Sequence, residues 1–272
     1  MRARAGILPA QTQSSIAVSI DGMSWILLNA SPDIREQLTQ NHQLTPKETR
    51  GSPVKSVILT NGDIDHISGL LVLREKTPFS LHATSEVLKI ISENSVFDVL
   101  DSELIDKTVI HPGVSFQPLK GLTVTPYYVP GKVPLYKEEE DVKTSVISEY
   151  TIGLELNYIN KTLQYVPGCA MITDEINSRF AYSDLVLFDG TVWQNDEMIK
   201  TSTGYKTGLR MGHIPISGLN GSMNKLKLIE KPQVYYIHIN NTNPILDPGS
   251  PERAIIEKVG LKIASDRKVI SL

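Results

Sequence analysis

Val57-Ile58-Leu59-Thr60-Asn61-Gly62-Asp63-Ile64-Asp65-His66, continuing into Ile67-Ser68-Gly69-Leu70-Leu71, is the stretch that decides how this chain folds. The β-branched apolar run at its start reads as a buried strand; a polar, glycine-containing turn ends it, and the amphipathic residues beyond begin a helix. Asp63, Asp65 and His66 therefore share one turn at the carboxyl end of a strand, where open α/β sheets bind their ligands. Carboxylates beside an imidazole suit a first-row divalent metal. The same residues equally make a helix cap in a solvated turn, since aspartate is common at helix starts. What the rest of the chain brings to this turn decides between the two.

At 272 residues the chain is long enough for one large domain or two ordinary ones. Its hydrophobic fraction of 40% and charged fraction of 21% are those of a globular protein with a sizeable core. A net charge of −3 and a pI near 6.1 give no bulk attraction to nucleic acid or acidic membranes. Cys169 is the only cysteine, which excludes an internal disulfide framework and a cysteine zinc cluster. No apolar run approaches the roughly 18 residues that span a bilayer. Basic residues near Met1 have no apolar stretch behind them, so no export signal is read there. A cytoplasmic enzyme or binding protein is the expectation.

The pattern before the opening stretch is a hairpin, residues 15–20 and Trp25–Leu28 around Asp21-Gly22, then a helix from Ile34 to about Gln40. After it, helix and short strand alternate: helical 67–73, a strand at 80–83, helical 85–92. Residues 122–129 read as a strand with a bulge or an edge at Pro126. The charged run from Lys137 to Lys143 reads as a solvated, mobile loop; a metal cluster of Glu138 to Glu140 is the weaker reading, because successive loop side chains seldom converge. Strands return at 152–158 and 162–166, then at 183–188 and 234–239, with helices at 174–180, 223–228 and from Pro251, and short strands at 261–264 and 269–272. Strand-rich halves with interspersed helices predict two packed sheets with helices outside.

Six histidines make the census of candidates short. His42 and His111 sit in polar loops, and His82 reads as a satisfied core or surface histidine. His66, His213 and His238 stand at strand ends or in a glycine-flanked turn. His213 lies with Arg210 in Gly208-Leu209-Arg210-Met211-Gly212-His213, a composition typical of a site, though a flexible connection fits it too. Asp189 and His238 each end a buried strand, and Asn240 and Asn241 follow the second. A turn-forming role ahead of Gly190 remains open for Asp189, and a strand-capping role for His238. Convergence of Asp65, His66, Asp189 and His238 at sheet edges is what a metal or catalytic site requires. Cys169 suits a nucleophile if a histidine meets it, but its small apolar neighbours favour a buried structural thiol.

The turn Asn61 to His66 resembles the metallo-β-lactamase superfamily signature His-x-His-x-Asp-His, with Asn61 and Asp63 in place of the first two histidines. More narrowly, the chain is similar to the pyrroloquinoline quinone (PQQ) biosynthesis protein B family. The stretches that carry this include Leu28-Asn29-Ala30-Ser31-Pro32-Asp33-Ile34-Arg35, Ile64-Asp65-His66, Phe188-Asp189-Gly190-Thr191, Met211-Gly212-His213 and Ile237-His238-Ile239-Asn240-Asn241-Thr242-Asn243-Pro244. The resemblance implies an α/β (α+β) fold, an αββα sandwich of two mixed sheets packed face to face, formed as one domain over residues 1–272. It implies a role in making the quinone cofactor from a glutamate–tyrosine peptide precursor, as an iron-dependent hydroxylase of the tyrosine ring. An older view of the family has it moving the quinone or a precursor towards the periplasm. Other proteins of the pathway are the expected partners, without nucleic acid or membrane insertion. Family members usually begin with a segment carrying a cysteine cluster that resembles a structural zinc site; this chain starts beyond it, and the first strand is expected to be missing. The middle, residues 90–147, matches poorly and is expected to shape the substrate pocket differently.

In superfamily hydrolases two metals share the site. Here Asn61 and Asp63 replace two histidines, and Gly168 stands where the bridging aspartate is sought. Asp65, His66 and His238 survive, the composition of the two-histidine, one-carboxylate triad of non-haem Fe(II) oxygenases. The expected ligands are these three with Fe(II), zinc being the alternative occupant of isolated protein. Asp63 and Asp189 are expected to orient histidines or to ligate. His213 would hydrogen-bond the phenol or carry a proton. Arg210 and Lys206 would pair with substrate carboxylates, and Asn240 and Asn241 would supply amides. A rebuilt hydrolase site and a metal-free carrier are the alternatives.

Overall fold

The computed structural model describes residues 3–139 and 142–272. Two sheets form. The first runs β1 (Ile16–Val18), β2 (Trp25–Leu28), β3 (Val54–Ile58), β4 (Phe79–Ala83) and β5 (Ile105–Val109) in that spatial order. The β1–β2 pair is antiparallel and the other neighbours are parallel. The second contains β6 (Phe116–Leu119), β7 (Leu122–Tyr128), β8 (Ile152–Tyr158), β9 (Lys161–Val166), β10 (Leu185–Asp189), β11 (Gln233–Ile237) and β12 (Lys262–Ile263), again in sequential order across the sheet. Its β9 to β12 edge is parallel and the rest antiparallel. Both sheets are mixed, as expected.

The strand period of two sorts side chains into layers. Along β10, Leu185 and Leu187 join Ile26, Leu28, Ile58, Tyr165 and Ile237 in the core between the sheets. Val186 and Phe188 face the other way, onto helices α4 (Asp174–Tyr182), α7 (Ser222–Leu226) and α8 (Pro251–Lys258) through Phe180, Leu226 and Ile256. On the first sheet Val57 and Leu81 meet α1 (Ile34–Gln40), α2 (Ile64–Ile67) and α3 (Ser85–Glu93) through Ile34, Ile67 and Ile90. The order helix, sheet, sheet, helix follows. Short helices α5 (Glu197–Lys200) and α6 (Gly208–Met211) lie in the long connection after β10.

Several local expectations change. The helix expected over 67–73 is α2 followed by a tight 3-10 turn, Ser68–Leu71. Gly69 explains the break: a Cβ there would lie 2.2 Å from the Ser31 carbonyl oxygen, and its N–H donates to the Ala30 carbonyl. The turn is thereby pinned to the end of β2. Pro126 needs no bulge on its β8 side, where it sits opposite Leu154; β6 has already ended opposite Val124 on the other side. No strand forms over 269–272. Of the charged run, Glu140 and Asp141 lie outside the described residues, while Glu138 is buried rather than solvated, with 8% of its side chain exposed. Lys132, Lys206 and Arg210 surround it. Among the described residues no helix is long and apolar enough to cross a membrane.

His82 also departs from expectation. It is buried at the end of β4 against the Phe116 ring, and neither ring nitrogen has a hydrogen-bond partner among the described residues. Burial lowers its pKa, opposed by the Asp106 carboxylate. As pH falls below the ordinary histidine value of about 6.5, the unfolded chain takes up a proton that the folded chain resists, so stability drops. His82→Leu is expected to remove this component, giving a smaller loss of unfolding free energy between about pH 7.5 and about pH 5.5. Equal losses in urea titrations of both proteins would refute it.

Candidate metal centre

Four strand ends meet at one rim. The chain leaving β3 supplies Asn61, Asp63, Asp65 and His66; that leaving β9 supplies Gly168 and Cys169; β10 ends in Asp189 and leads to Thr191; β11 leads to His238. Buried Asn29 steadies the first of these: its Oδ1 accepts from the Thr60 N–H at 2.8 Å, and its Nδ2 donates to Thr60 Oγ1 and to the Tyr165 hydroxyl of the opposite sheet.

His66 shows how each imidazole is set. Asn61 Oδ1 accepts from the Asp63 N–H at 3.0 Å, which identifies that atom as the oxygen. His66 Nδ1 lies 2.7 Å from the same oxygen and must therefore donate to it. Nε2 is left as a bare lone pair, buried and without a partner among the described residues. Burial, together with the neighbouring His238 and His213, pushes the His66 pKa down to about 4 against the pull of Asp65, so the ring is neutral at physiological pH. The orphaned nitrogen faces Asp65 Oδ2 at 3.9 Å, and the His66 and His238 rings meet edge to face at 5.0 Å.

Asp189 sets the other two imidazoles. The fully buried carboxylate takes the Cys169 N–H (2.9 Å) and His213 Nδ1 (2.8 Å) on Oδ2, and the Thr191 N–H (3.0 Å) and Oγ1 (2.7 Å) on Oδ1. Burial alone would raise its pKa, but His213, His238 and Thr191 outweigh it and hold the group below its ordinary value. Thr191 Oγ1 also lies 2.8 Å from His238 Nδ1. With the hydroxyl proton on the carboxylate, His238 Nδ1 must donate to Thr191, which fixes that ring as Asn61 fixes His66. Thr191 also approaches the His238 carbonyl at 3.0 Å, where His238 adopts the left-handed φ of 54° that few side chains tolerate. His238 Nε2 then meets Asp65 Oδ2 at 2.9 Å. Burial would lower the His238 pKa, but Asp65 raises it overall; Asp65 in turn is held low by His66 and His238 despite its own burial.

The expected residues are thus sorted. Asp65, His66 and His238 bring one ligand atom each to within 4.8 Å of one another, and so do Asp189, His213 and His238. The second group has its carboxylate oxygens and His213 Nδ1 already engaged, whereas the first offers the orphaned His66 nitrogen. Asp63 belongs to neither group: its carbonyl accepts the His66 and Ile67 N–H groups, and burial raises its carboxyl pKa against the opposing charge of Lys132. His213 stacks on His238 at 5.2 Å and leaves Nε2 without a hydrogen-bond partner among the described residues. With His238, Asn240 and Asn241 it lines a cavity of about 1030 Å³. Lys206 and Arg210 pair with Glu138 at 2.7 and 3.2 Å. Cys169 is buried, its thiol pKa raised by burial and by Asp189, which leaves it a structural role. A side chain at Gly168 would project between His213 and Asn61, 3.6 and 4.0 Å away, so this glycine does face the site. Sequence reasoning missed Thr191, although it lies two residues beyond Asp189, a spacing that returns to the same side of an extended chain.

Comparisons with known proteins agree with this fold. The model of the Beta-lactamase superfamily domain matches residues 24–239. Coenzyme PQQ synthesis protein B of Rhizobium meliloti is 51% identical over 267 residues, covering 98% of this chain and 88% of that protein. The protein of the same name from Methylobacterium radiotolerans is 48% identical, covering 96% and 88%. Among solved structures, zinc-bound PqqB from Methylobacterium extorquens superposes with a TM-score of 0.97 at 46% identity, covering all of this chain and 92% of that one. A diphosphatase of the PhnP family shares the fold alone, with a TM-score of 0.65 at 17% identity. The chain belongs to the coenzyme PQQ synthesis protein B family, within the β-lactamase superfamily.

Thr191→Val keeps the shape and removes the shared hydroxyl, leaving Asp189 Oδ1 and His238 Nδ1 short of a partner. It is expected to cost about 1–3 kcal/mol in denaturant unfolding, with Thr191→Ser recovering most of the loss. A valine variant as stable as the parent would refute the bridging role.

Proposed function

We propose that this chain acts in PQQ synthesis as an iron- and oxygen-dependent hydroxylase of the tyrosine ring in a glutamate–tyrosine derived precursor, with Asp65, His66 and His238 as the metal ligands. The observation that carries the reading is the bare Nε2 of His66: a buried, neutral imidazole whose lone pair has no partner and faces a carboxylate and a second imidazole. An orphaned buried acceptor is costly unless a ligand satisfies it. Two imidazoles and one carboxylate fit iron(II), which supplies oxygen activation and keeps coordination positions open. The zinc-bound structure of the Methylobacterium extorquens relative supports metal binding in the family, and the choice between zinc and iron is left to experiment.

The remaining roles fall to this chain's own groups. Asn61 and Thr191 hold His66 and His238 with the coordinating nitrogen of each turned towards Asp65. With Asn61 and Asp63 where the superfamily signature has histidines and Gly168 facing the site without a carboxylate, the donor set supports one metal rather than two. His213, anchored through Nδ1 on Asp189, presents Nε2 to the phenol oxygen and moves its proton. Asn240 and Asn241, on the cavity wall, offer amides to the precursor; Lys206 and Arg210 offer positive charge to its carboxylates.

His238→Ala is expected to abolish both iron binding and oxygen-dependent product after anaerobic loading, read by metal analysis and mass spectrometry. Unchanged iron stoichiometry would overturn the ligand assignment, activity gained with zinc and lost with iron would favour a hydrolase, and no metal in protein purified without oxygen would favour a carrier. Asn61→Ala is expected to weaken metal affinity about 10- to 100-fold by freeing the His66 ring. Chelator competition measures this, and affinity equal to the parent would refute it.

A further inference from the structure

Three cations converge on one buried glutamate beside the centre. Lys132 Nζ lies 3.0 Å from Glu138 Oε1, and Lys206 Nζ and Arg210 Nη1 lie 2.7 and 3.2 Å from Oε2. Among the described residues Glu138 is the only ion-pair partner of each. Among these ion pairs one carboxylate thus serves three cations, and the guanidinium of Arg210 spends a single N–H on it where a bidentate pair is possible. The Lys132 stem passes Gly212, the residue before His213, so closely that a Cβ on that glycine would lie 3.2 Å from Lys132 Cγ. Its charge also acts on Asp63. On the same segment, the Tyr136 hydroxyl donates to the Gly62 carbonyl at 2.6 Å. The stretch 132–138 therefore straps the metal-centre turn, and Glu138 is its fastening.

We propose that Lys132, Lys206 and Arg210 form a carboxylate-binding site for an acidic small molecule, and that Glu138 occupies it as an internal plug which the ligand's carboxylate displaces. The occupant itself defines the chemistry: a carboxylate on a short flexible stem, satisfied by ammonium and guanidinium donors. Lys206 and Arg210 are 26% and 35% exposed in their side chains, so the cradle opens to solvent on their side while Glu138 closes it from within. Exchange of one carboxylate for another conserves the ion pairs, and the cost of opening is confined to releasing the strap. A plugged site lowers the apparent affinity of its ligand by the fraction of molecules that are open. Ligand arrival would then release the 132–138 segment from its anchor beside the metal-centre turn.

Glutarate serves as the probe, titrated by calorimetry into the full chain prepared without metal, so that the outcome is independent of the hydroxylase reading. Glu138→Gln is expected to bind glutarate at least about tenfold more tightly than the parent, since it unplugs the cradle. Adding Arg210→Met is expected to abolish the gain, and raising the salt to weaken binding in Glu138→Gln. If Glu138→Gln does not fold, Glu138→Asp, whose carboxylate is drawn back by one methylene, is expected to show the same direction of change. Folded Glu138→Gln, or failing that Glu138→Asp, with the parent's glutarate affinity would overturn the proposal and leave Glu138 as a structural fastening.

Discussion

The buried carboxylate of Asp189 is the charge on which the site depends. With no exposed surface it would be prohibitively costly to ionise alone, yet four donors converge on its two oxygens: two backbone N–H groups, one hydroxyl and one imidazole. Those donors come from the segments after β9 and β10 and from the loop after α6, and through Thr191 the carboxylate also reaches the end of β11. One charge thereby fixes the relative positions of chain segments far apart in sequence. Cys169 serves this carboxylate through its backbone N–H, while its thiol donates to the Met171 carbonyl.

The three site histidines are set by one repeated device. Each spends Nδ1 on an orienting group and leaves Nε2 directed elsewhere: His66 on Asn61, His213 on Asp189, His238 on Thr191. The orienting groups differ in what they do to charge. An amide serves His66, whose burial keeps the ring neutral, whereas a carboxylate serves His213 and a hydroxyl serves His238. Where the superfamily signature has a histidine, Asn61 is thus the group that orients the His66 ring.

Electrostatics around the centre is layered. Asp65 and Asp189 lie inside with the histidines, and Asp63 lies at the border, where Lys132 opposes its charge. Outside them Lys132, Lys206 and Arg210 gather on Glu138, whose pKa burial would raise but whose lysine partners push down to about 2. The carboxylates that the histidines hold thus lie inside a rim of cations. Leu185, Leu187 and Ile237 of the core between the sheets also line the cavity.

Sequence alone determined whatever follows from local periodicity and turn chemistry. The apolar runs at 25–28, 183–188 and 234–239 announced strands with two apolar faces, and these require helices outside two packed sheets. Asp65, His66, Asp189, His213 and His238 were legible because each is a polar residue at the end of an apolar run or in a glycine-flanked turn, where burial needs a reason. Tertiary structure decided everything that depends on partners distant in the chain. Thr191 reads as an ordinary turn residue until β11, 47 residues on, delivers His238 to its hydroxyl. Glu138 reads as solvated until the chain from 206 to 210 brings two cations 68 and 72 residues away onto it. His82 reads as satisfied until the fold buries it against Phe116, with neither ring nitrogen hydrogen-bonded among the described residues. A hydrogen bond or ion pair leaves no periodic trace in sequence, because it constrains two positions at unrelated separation; only the fold brings them together.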